Sequence, residues 1–280
     1  MFGRRPFVNI PRGRNAGGRG RNDGLLLVLL MQLYGQIQQL ERKPPVTLAL
    51  MGGMVGLIMY KGHPGVPSAR RYALCPDVIV DRFDWKRLIV SAFLHVDEWH
   101  LYNNMASFLW KGVNLEFKYG SERFVQLIAT LLVMSHVLAV AATYTLATVL
   151  HDNSYIHQCS VGFSAVLFAL KMVLNQNSPA YTNIMGITIP TKYAAWAELV
   201  YIHYFVPGSS LIGHLAGILA GYIYMKSPLW TLNLNFFTSQ PRAYTYASGR
   251  ADANNSRQPT YESDEAYARR LQEEEFRRRY

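Results

Sequence analysis

A serine and a histidine in this chain occupy positions where the two could carry out nucleophilic chemistry together. Ser164 ends the triplet Gly162-Phe163-Ser164 in an apolar run, and His214 follows Gly213 at the start of a second apolar run. A hydroxyl activated by a histidine attacks carbonyl carbons, and the histidine later returns the proton to the leaving amine. Each residue alone has an ordinary explanation, since helical serines often bond their own backbone. Together they predict a nucleophile, Ser164, and its base, His214.

Two further polar residues, His100 and Asn104, indicate a place where negative charge is stabilised. They are four residues apart, so on a helix they share one face and can donate hydrogen bonds in the same direction. Ser164 lies in the first turn of its own predicted helix, where free backbone N–H groups and the helix dipole favour an oxyanion. We therefore expect a hydrolytic site at the ends of three helices.

The elements that must position these residues are apolar helices of membrane length. Half of the 280 residues are hydrophobic, and residues 124–150 contain no Asp, Glu, Lys or Arg. A run of about 18 or more such residues is long enough to cross a bilayer. The sequence predicts an all-α, multi-pass integral membrane protein whose six spans are Val46–Tyr60, His100–Phe117, Phe124–Leu150, Val161–Leu174, Tyr193–Val206 and Leu211–Met225.

Six spans place both termini on one side of the membrane, and the basic residues indicate the cytosolic side. The N-terminal arm and the C-terminal tail are rich in Lys and Arg, whereas residues 151–160 contain neither. The six Lys/Arg of the loop 61–99 do not fit this orientation, unless part of the loop enters the membrane. On this topology His100, Ser164 and His214 all lie at the same depth, near the non-cytosolic face.

Small residues indicate where two of these helices approach each other. Gly213, Gly217 and Gly221 recur every four residues in the sixth span, and Ala165 and Ala169 do so in the fourth. Stripes of this kind let helix backbones come close together. They also serve packing alone, and the two roles are compatible. A direct hydrogen bond between the serine and the histidine requires such an approach.

Over about residues 44–226 the chain resembles the rhomboid family of intramembrane serine proteases. Gly162-Phe163-Ser164-Ala165 is similar to the family's Gly-x-Ser-x nucleophile motif. Gly213-His214-Leu215-Ala216-Gly217 is similar to its base-bearing helix, and His100-Leu101-Tyr102-Asn103-Asn104 to its His-x-x-x-Asn. Glu116-Phe117-Lys118-Tyr119-Gly120 resembles the turn after the second span, and Trp85-Lys86-Arg87 resembles the Trp-Arg of the first loop with one residue inserted.

This resemblance implies a six-transmembrane-helix rhomboid bundle with a Ser–His dyad and no acidic third member. It implies an oxyanion site made of His100, Asn104 and the backbone at Ser164, with Phe163 beside it. It also implies substrates that are transmembrane proteins, and no cofactor or metal. Structural roles are expected for the glycines and for two charged residues, namely Gly162, Gly213, Gly217, Gly221, Arg87 and Glu116.

Other classes of protein fit the sequence less well. A catalytically silent relative, such as the Derlin type that binds and extracts membrane proteins, would lack the dyad, whereas both Ser164 and His214 are present here. A transporter or channel would need charges along a path, and the predicted spans contain few. The net charge of +10 does not indicate a nucleic-acid partner, because basic residues beside a first span set its orientation.

Two pairs of residues leave alternatives open. Helical rise places Lys171 and Glu198 at similar depth, so they either form an ion pair or Lys171 extends to the lipid headgroups. Cys75 and Cys159 both fall in predicted non-cytosolic loops, where they either form a disulfide or remain free thiols.

The segments around the core 44–226 are predicted to be polar and mostly flexible. Residues 1–23 form a basic cytosolic arm, 24–43 a short amphipathic helix that either spans or lies on the membrane, and 227–280 a flexible cytosolic tail ending in a charged helix, 262–279. That helix is either solvated or, as its similarity to ubiquitin-interacting helices suggests, a ubiquitin-binding element. The similarity favours the endoplasmic reticulum and membrane-protein degradation there, with the mitochondrial inner membrane and the Golgi as alternatives.

Overall fold

The computed structural model describes residues 19–176, 181–184, 187–206 and 208–227, which form a bundle of helices with one short hairpin. Most of the predicted arm 1–23 and nearly all of the tail 227–280, with its helix 262–279, lie outside the described residues. In chain order the elements are α1 (Arg19–Gln38), α2 (Pro45–Met59), α3 (Ala69–Tyr72), α4 (Pro76–Asp81), α5 (Arg87–Phe93), α6 (Glu98–Tyr119), α7 (Ser121–Leu150), α8 (Ser164–Asn175), β1 (Tyr181–Ile184), β2 (Ile187–Pro190), α9 (Ala194–Phe205) and α10 (Leu211–Lys226).

Helix α7 is the clearest membrane span. It has 30 residues and a mean hydropathy of 2.1, and within the described part of the chain it is the one helix both long and apolar enough to cross a bilayer. Helices α2, α8 and α10 are apolar but shorter, at 15, 12 and 16 residues. Each of the six expected spans coincides with a helix, and that all six cross the membrane stays a prediction.

The centre of the bundle lies between α6, α7, α8 and α10. Three fully buried aromatic side chains meet there, with ring centroids 6.4 Å apart for Phe108 and Phe124 and 5.0 Å apart for Phe108 and Phe163. Helix α10 packs along α8 and α7, while α1 and α2 pack against α6. From α1, Leu29 and Leu33 are buried in this arrangement. The helices that carry the candidate site are therefore also those that share the core.

One buried carboxylate joins three helices. Glu116 accepts hydrogen bonds from the backbone N–H groups of Val46 and Thr47, both at 2.9 Å, and from the hydroxyls of Thr47 and Ser121, both at 2.7 Å. Pro44 precedes α2 and provides no side-chain cap. Because the first N–H groups of a helix lack partners within it, Glu116 at the end of α6 supplies the cap that α2 lacks locally.

The loop 61–99 contains three short helices, α3, α4 and α5, and Arg87 ties two of its parts together. The Arg87 guanidinium donates to the carbonyl of Ala73 and to the carboxylate of Asp84, each at 2.9 Å. These three helices could not be predicted from periodicity, because segments of four to seven residues are too short to show one.

The expectation of an all-α chain is wrong between α8 and α9. There β1 and β2 pair antiparallel, with Tyr181 opposite Pro190 and Ile184 opposite Ile187. This segment is rich in the β-branched residues Thr and Ile, which fit an extended strand better than a helix. The hairpin connects two helices and leaves the helical architecture of the core unchanged.

Candidate active site

Ser164 and His214 lie within hydrogen-bonding distance, with 3.0 Å between the serine Oγ and the histidine Nε2. Ser164 is the first residue of α8, and His214 is buried in the first turn of α10, where the Ser210 hydroxyl accepts a bond from the Gly213 N–H. The imidazole packs on the ring of Phe168 with 4.7 Å between centroids. Sequence reasoning missed Phe168, although it lies one turn after Ser164 on the same helical face.

The close approach of α8 and α10 depends on two glycines. A Cβ placed on Gly217 would stand 2.2 Å from the Ala165 carbonyl oxygen, and one on Gly221 would stand 2.7 Å from the Ala169 carbonyl oxygen. Both distances are shorter than real carbon–oxygen contacts, so neither position accommodates a side chain without movement of a helix. The predicted glycine and alanine stripes are the surfaces that face each other here.

Gly162, two residues before the nucleophile, lies against the imidazole of His100. Gly162 has a φ of +118°, a conformation that L-residues rarely adopt, and its N–H donates to the carbonyl of Ser91 at 3.0 Å. A Cβ on Gly162 would stand 2.8 Å from the Nε2 atom of His100. Glycine is therefore needed at this position both for its backbone conformation and for the contact with the imidazole.

Asn104 and Phe163 complete the set of residues predicted for the oxyanion. Asn104 is buried and donates one amide hydrogen to the carbonyl of His100 at 2.8 Å, which leaves its second hydrogen for another acceptor. Phe163 is fully buried between Phe93 and Phe108, so its side chain anchors the start of α8 in the core. Its backbone immediately precedes the first turn, where N–H groups have no acceptor within the helix.

The segment before Gly162 is held by covalent and backbone links. Of the two alternatives for the cysteines, the structure shows the disulfide Cys75–Cys159. Leu74 and Ser160, adjacent to them, exchange two backbone hydrogen bonds of 2.8 and 3.0 Å. The loop 61–99 thus holds the chain only a few residues ahead of Ser164.

A histidine that the sequence analysis did not single out, His95, lies against His100. Their ring centroids are 5.1 Å apart in an edge-to-face arrangement, and His95 is buried. Burial, and to a lesser extent the neighbouring His100, lower the pKa of His95 to about 3, against a small opposing effect of the Phe93 carbonyl. His95 is therefore neutral at physiological pH. His95 lies in the loop before α6. Its contact with His100 therefore follows no helical or strand periodicity and could not be predicted from the sequence.

Two helical turns beyond the nucleophile lies a cluster of three charges. The Lys171 Nζ is 3.5 Å from one carboxylate oxygen of Glu198, which confirms the ion-pair alternative. Lys111 was missed by the sequence analysis, and its Nζ lies 3.0 Å from the other oxygen of the same carboxylate. The signal that was available is the spacing of seven residues between Asn104 and Lys111, the same as between Ser164 and Lys171.

Within the described ranges, no group of three or more His, Cys, Asp or Glu side chains is arranged to hold a metal ion. The site offers a hydroxyl, an imidazole nitrogen within hydrogen-bonding distance of it, and nearby hydrogen-bond donors. Chemically, this arrangement suits nucleophilic attack on a carbonyl with stabilisation of the resulting oxyanion.

The family model and the relatives that match this chain all indicate one family. A sequence model of the Rhomboid domain matches residues 82–228. "Rhomboid-related protein 4" of Mus musculus is 43% identical over 212 residues, covering 75% of this chain and 65% of the relative. The human protein of the same name is 40% identical over 212 residues, with the same coverage. "Rhomboid-like protein 14, mitochondrial" of Arabidopsis thaliana is 41% identical over 221 residues, 78% of this chain and 65% of the relative. The matched part thus spans less than two thirds of these relatives.

Proposed function

This chain belongs to the rhomboid family of membrane proteins, and from that premise we propose that it is an intramembrane serine protease. Its reaction is hydrolysis of a peptide bond in or near a transmembrane segment of another membrane protein. The observation that carries the proposal is the 3.0 Å separation of the Ser164 Oγ and the His214 Nε2. A catalytically silent relative has no need of this contact.

The proposed reaction begins with the Ser164 hydroxyl donating to the His214 Nε2. The Oγ attacks the carbonyl carbon, its proton passes to Nε2, and the carbonyl oxygen becomes an oxyanion. The C–N bond then breaks as His214 gives the proton to the leaving amine, which leaves an ester on Ser164. Water attacks this ester with His214 again accepting a proton, and the products are a carboxyl terminus and the restored serine.

The oxyanion is assigned to the groups around the start of α8. The first-turn N–H groups at Ser164 and the amide of Asn104 are donors, and the His100 imidazole lies against Gly162. Removing one donor of such a site typically lowers kcat about 100- to 1,000-fold. Because His100 and Asn104 both come from α6, the position of α6 relative to α8 determines whether these donors converge.

The lengths of the helices support a site below the membrane surface. Helix α8 has 12 residues and therefore rises about 18 Å, less than the roughly 30 Å thickness of the hydrocarbon core. If its C-terminal end lies near one face, Ser164 at its beginning lies well below the other. We propose that α2, α6, α7, α8, α9 and α10 are the six spans, with both termini in the cytosol.

The decisive experiment compares the full-length protein with Ser164→Ala and His214→Ala, using a reporter with one transmembrane segment. Cleavage by the wild type and none by either variant supports the protease. If Ser164→Ala cleaves the reporter as fast as the wild type, the proposal is wrong and the silent alternative takes its place. Retention of the thermal midpoint in detergent shows that a variant is folded.

We place the protein in the endoplasmic reticulum and infer that it acts in membrane-protein quality control. The disulfide Cys75–Cys159 fits an oxidising compartment, and the predicted helix 262–279 is similar to ubiquitin-interacting helices. One relative is named mitochondrial, so fluorescent tagging must distinguish the two organelles. Binding of ubiquitin by the full-length protein, and its loss when the tail is removed, tests the second part.

A further inference from the structure

The charged cluster of Lys111, Lys171 and Glu198 lies in the part of the bundle proposed to be inside the bilayer. Glu198 of α9 bridges the two lysines, at 3.0 Å from the Lys111 Nζ and 3.5 Å from the Lys171 Nζ. Lys111 also donates to the Ser107 hydroxyl, and the Lys171 Nζ lies over the ring of Trp110, 4.7 Å from its centroid. Charges at membrane depth are costly and usually mark a functional path.

This cluster lies on the same two helices as the candidate active site, two helical turns further along each of them. Lys171 follows Ser164 by seven residues on α8, and Lys111 follows Asn104 by seven residues on α6. Seven residues are close to two full helical turns, so each lysine lies on the same face as its catalytic-level partner and about 10 Å further along the helix. A chain leaving Ser164 along this face therefore passes the charged cluster next.

The cluster has an excess of positive charge. Two lysines share one carboxylate, and among the described residues neither lysine has a second carboxylate partner. The side chains of Lys171 and Glu198 are 13% and 26% exposed, whereas that of Lys111 is 3% exposed. Lys111 is thus enclosed in the bundle, and Lys171 is the more accessible of the two cations.

We propose that this cluster is a substrate subsite that binds an acidic side chain in the transmembrane segment being cleaved. This inference rests on the proposed proteolytic function and adds to it a preference for substrates with an acidic residue in the transmembrane segment. A carboxylate beside Lys171 balances the charge of the cluster and gains charge-assisted hydrogen bonds. A lysine in the substrate at the same depth would face two cations whose one shared carboxylate, Glu198, is already paired with both, and would be disfavoured.

The distance between the active site and the cluster fixes where the acidic residue must lie. A gap of about 10 Å corresponds to roughly three residues of extended chain or seven residues of helix. The acidic residue is therefore expected three to seven residues from the cleaved bond, on the side that continues into the membrane. Outside this window the side chain does not reach Lys171.

The test uses purified full-length protein in liposomes and a series of reporters with Asp, Asn or Lys at each position of the window. We expect kcat/KM for Asp to exceed that for the isosteric Asn about tenfold at one position or two adjacent ones, as befits a hydrogen bond to a charged group. An Asp/Asn ratio near one throughout overturns the subsite, and so does a preference for Lys over Asn.

Variants at the cluster show whether Lys171 is the residue that binds the acidic side chain of the substrate. The Asp/Asn ratio is expected to fall to about one in Lys171→Met and to persist in Lys171→Arg, which keeps the charge. Lys118→Met, at the end of α6 and away from the cluster, is the matched control and should keep the wild-type ratio. A ratio that survives in Lys171→Met overturns the assignment.

Binding to Ser164→Ala separates this inference from the proposed function. Peptides with the same Asp and Asn substitutions should bind that variant with the same order of preference, since no turnover is needed. Cleavage of neutral reporters without any acidic preference would contradict the subsite alone. Acidic preference in binding without cleavage by the wild type would contradict the protease alone.

Discussion

Replacing Gly217 with alanine tests whether the contact of α8 and α10 is what brings Ser164 and His214 together. The new Cβ would stand 2.2 Å from the Ala165 carbonyl oxygen. Carbon and carbonyl oxygen remain about 3.3 Å apart even in close contacts. Because the opposing atom is backbone rather than a flexible side chain, α10 has to move away from α8 by about 1 Å.

A displacement of this size reaches the dyad, because His214 lies one turn before Gly217 on the same helix. The Oγ–Nε2 distance of 3.0 Å would lengthen towards 4 Å, past the roughly 3.2 Å limit of a hydrogen bond. Misplacement by about 1 Å typically costs about 100-fold in rate. Overpacking also lowers the free energy of unfolding by about 1–3 kcal/mol.

The assay is cleavage of the transmembrane reporter at saturating concentration, alongside the thermal midpoint of each variant. Gly221→Ala should lose less activity, because its Cβ would be 2.7 Å from the Ala169 oxygen and lies a further turn from His214. Gly52→Ala on α2 meets no atom within 4 Å and is the control. The reasoning is refuted if Gly217→Ala has a cleavage rate within twofold of the wild type and the same thermal midpoint.

Three other changes have expected outcomes that the thermal midpoint in detergent can check. Each carboxylate oxygen of Glu116 accepts from a backbone N–H, which cannot accept in return, so the amide NH2 of Glu116→Gln meets a donor on either side. The free energy of unfolding should therefore fall by about 2–3 kcal/mol, and an unchanged midpoint contradicts the cap. Cys159→Ser opens a bridge between residues 84 apart and should cost about 2–4 kcal/mol; reductant should then lower the midpoint of the wild type only. The folded-state pKa of His95, about 3, lies below an unfolded value of about 6.5, so the stability it contributes above pH 6.5 is lost as pH falls. Between pH 7 and 5 the wild type should therefore lose about 2 kcal/mol more than His95→Phe, and equal losses would contradict this account.

Much of the candidate site could be predicted from the sequence because its parts recur at regular spacings. The apolar runs located α8 and α10, and the four-residue stripes identified the faces on which Gly217 and Ala165 meet. Helical rise placed Lys171 and Glu198 at similar depth, since both helices are regular and their ends could be estimated, and the structure then decided for the ion pair between the two alternatives.

The remaining parts depend on contacts between segments that have no common periodicity. Lys111 was overlooked because a single lysine in a span has no visible partner until α6 and α9 are placed side by side. His95 lies in a loop, and the hairpin of β1 and β2 is too short to give an alternating pattern. The choice between a disulfide and free thiols for Cys75 required the distance between two loops, which no spacing along the chain provides.

The capping of α2 by Glu116 has a consequence for the order in which the protein is made. Synthesis delivers the start of α2 to the membrane about 70 residues before the carboxylate that satisfies it exists. Until then the N–H groups of Val46 and Thr47 can be satisfied only by water or polar headgroups. On the topology proposed above, this end of the first span can therefore enter the hydrocarbon core at low cost only after the second span is in place.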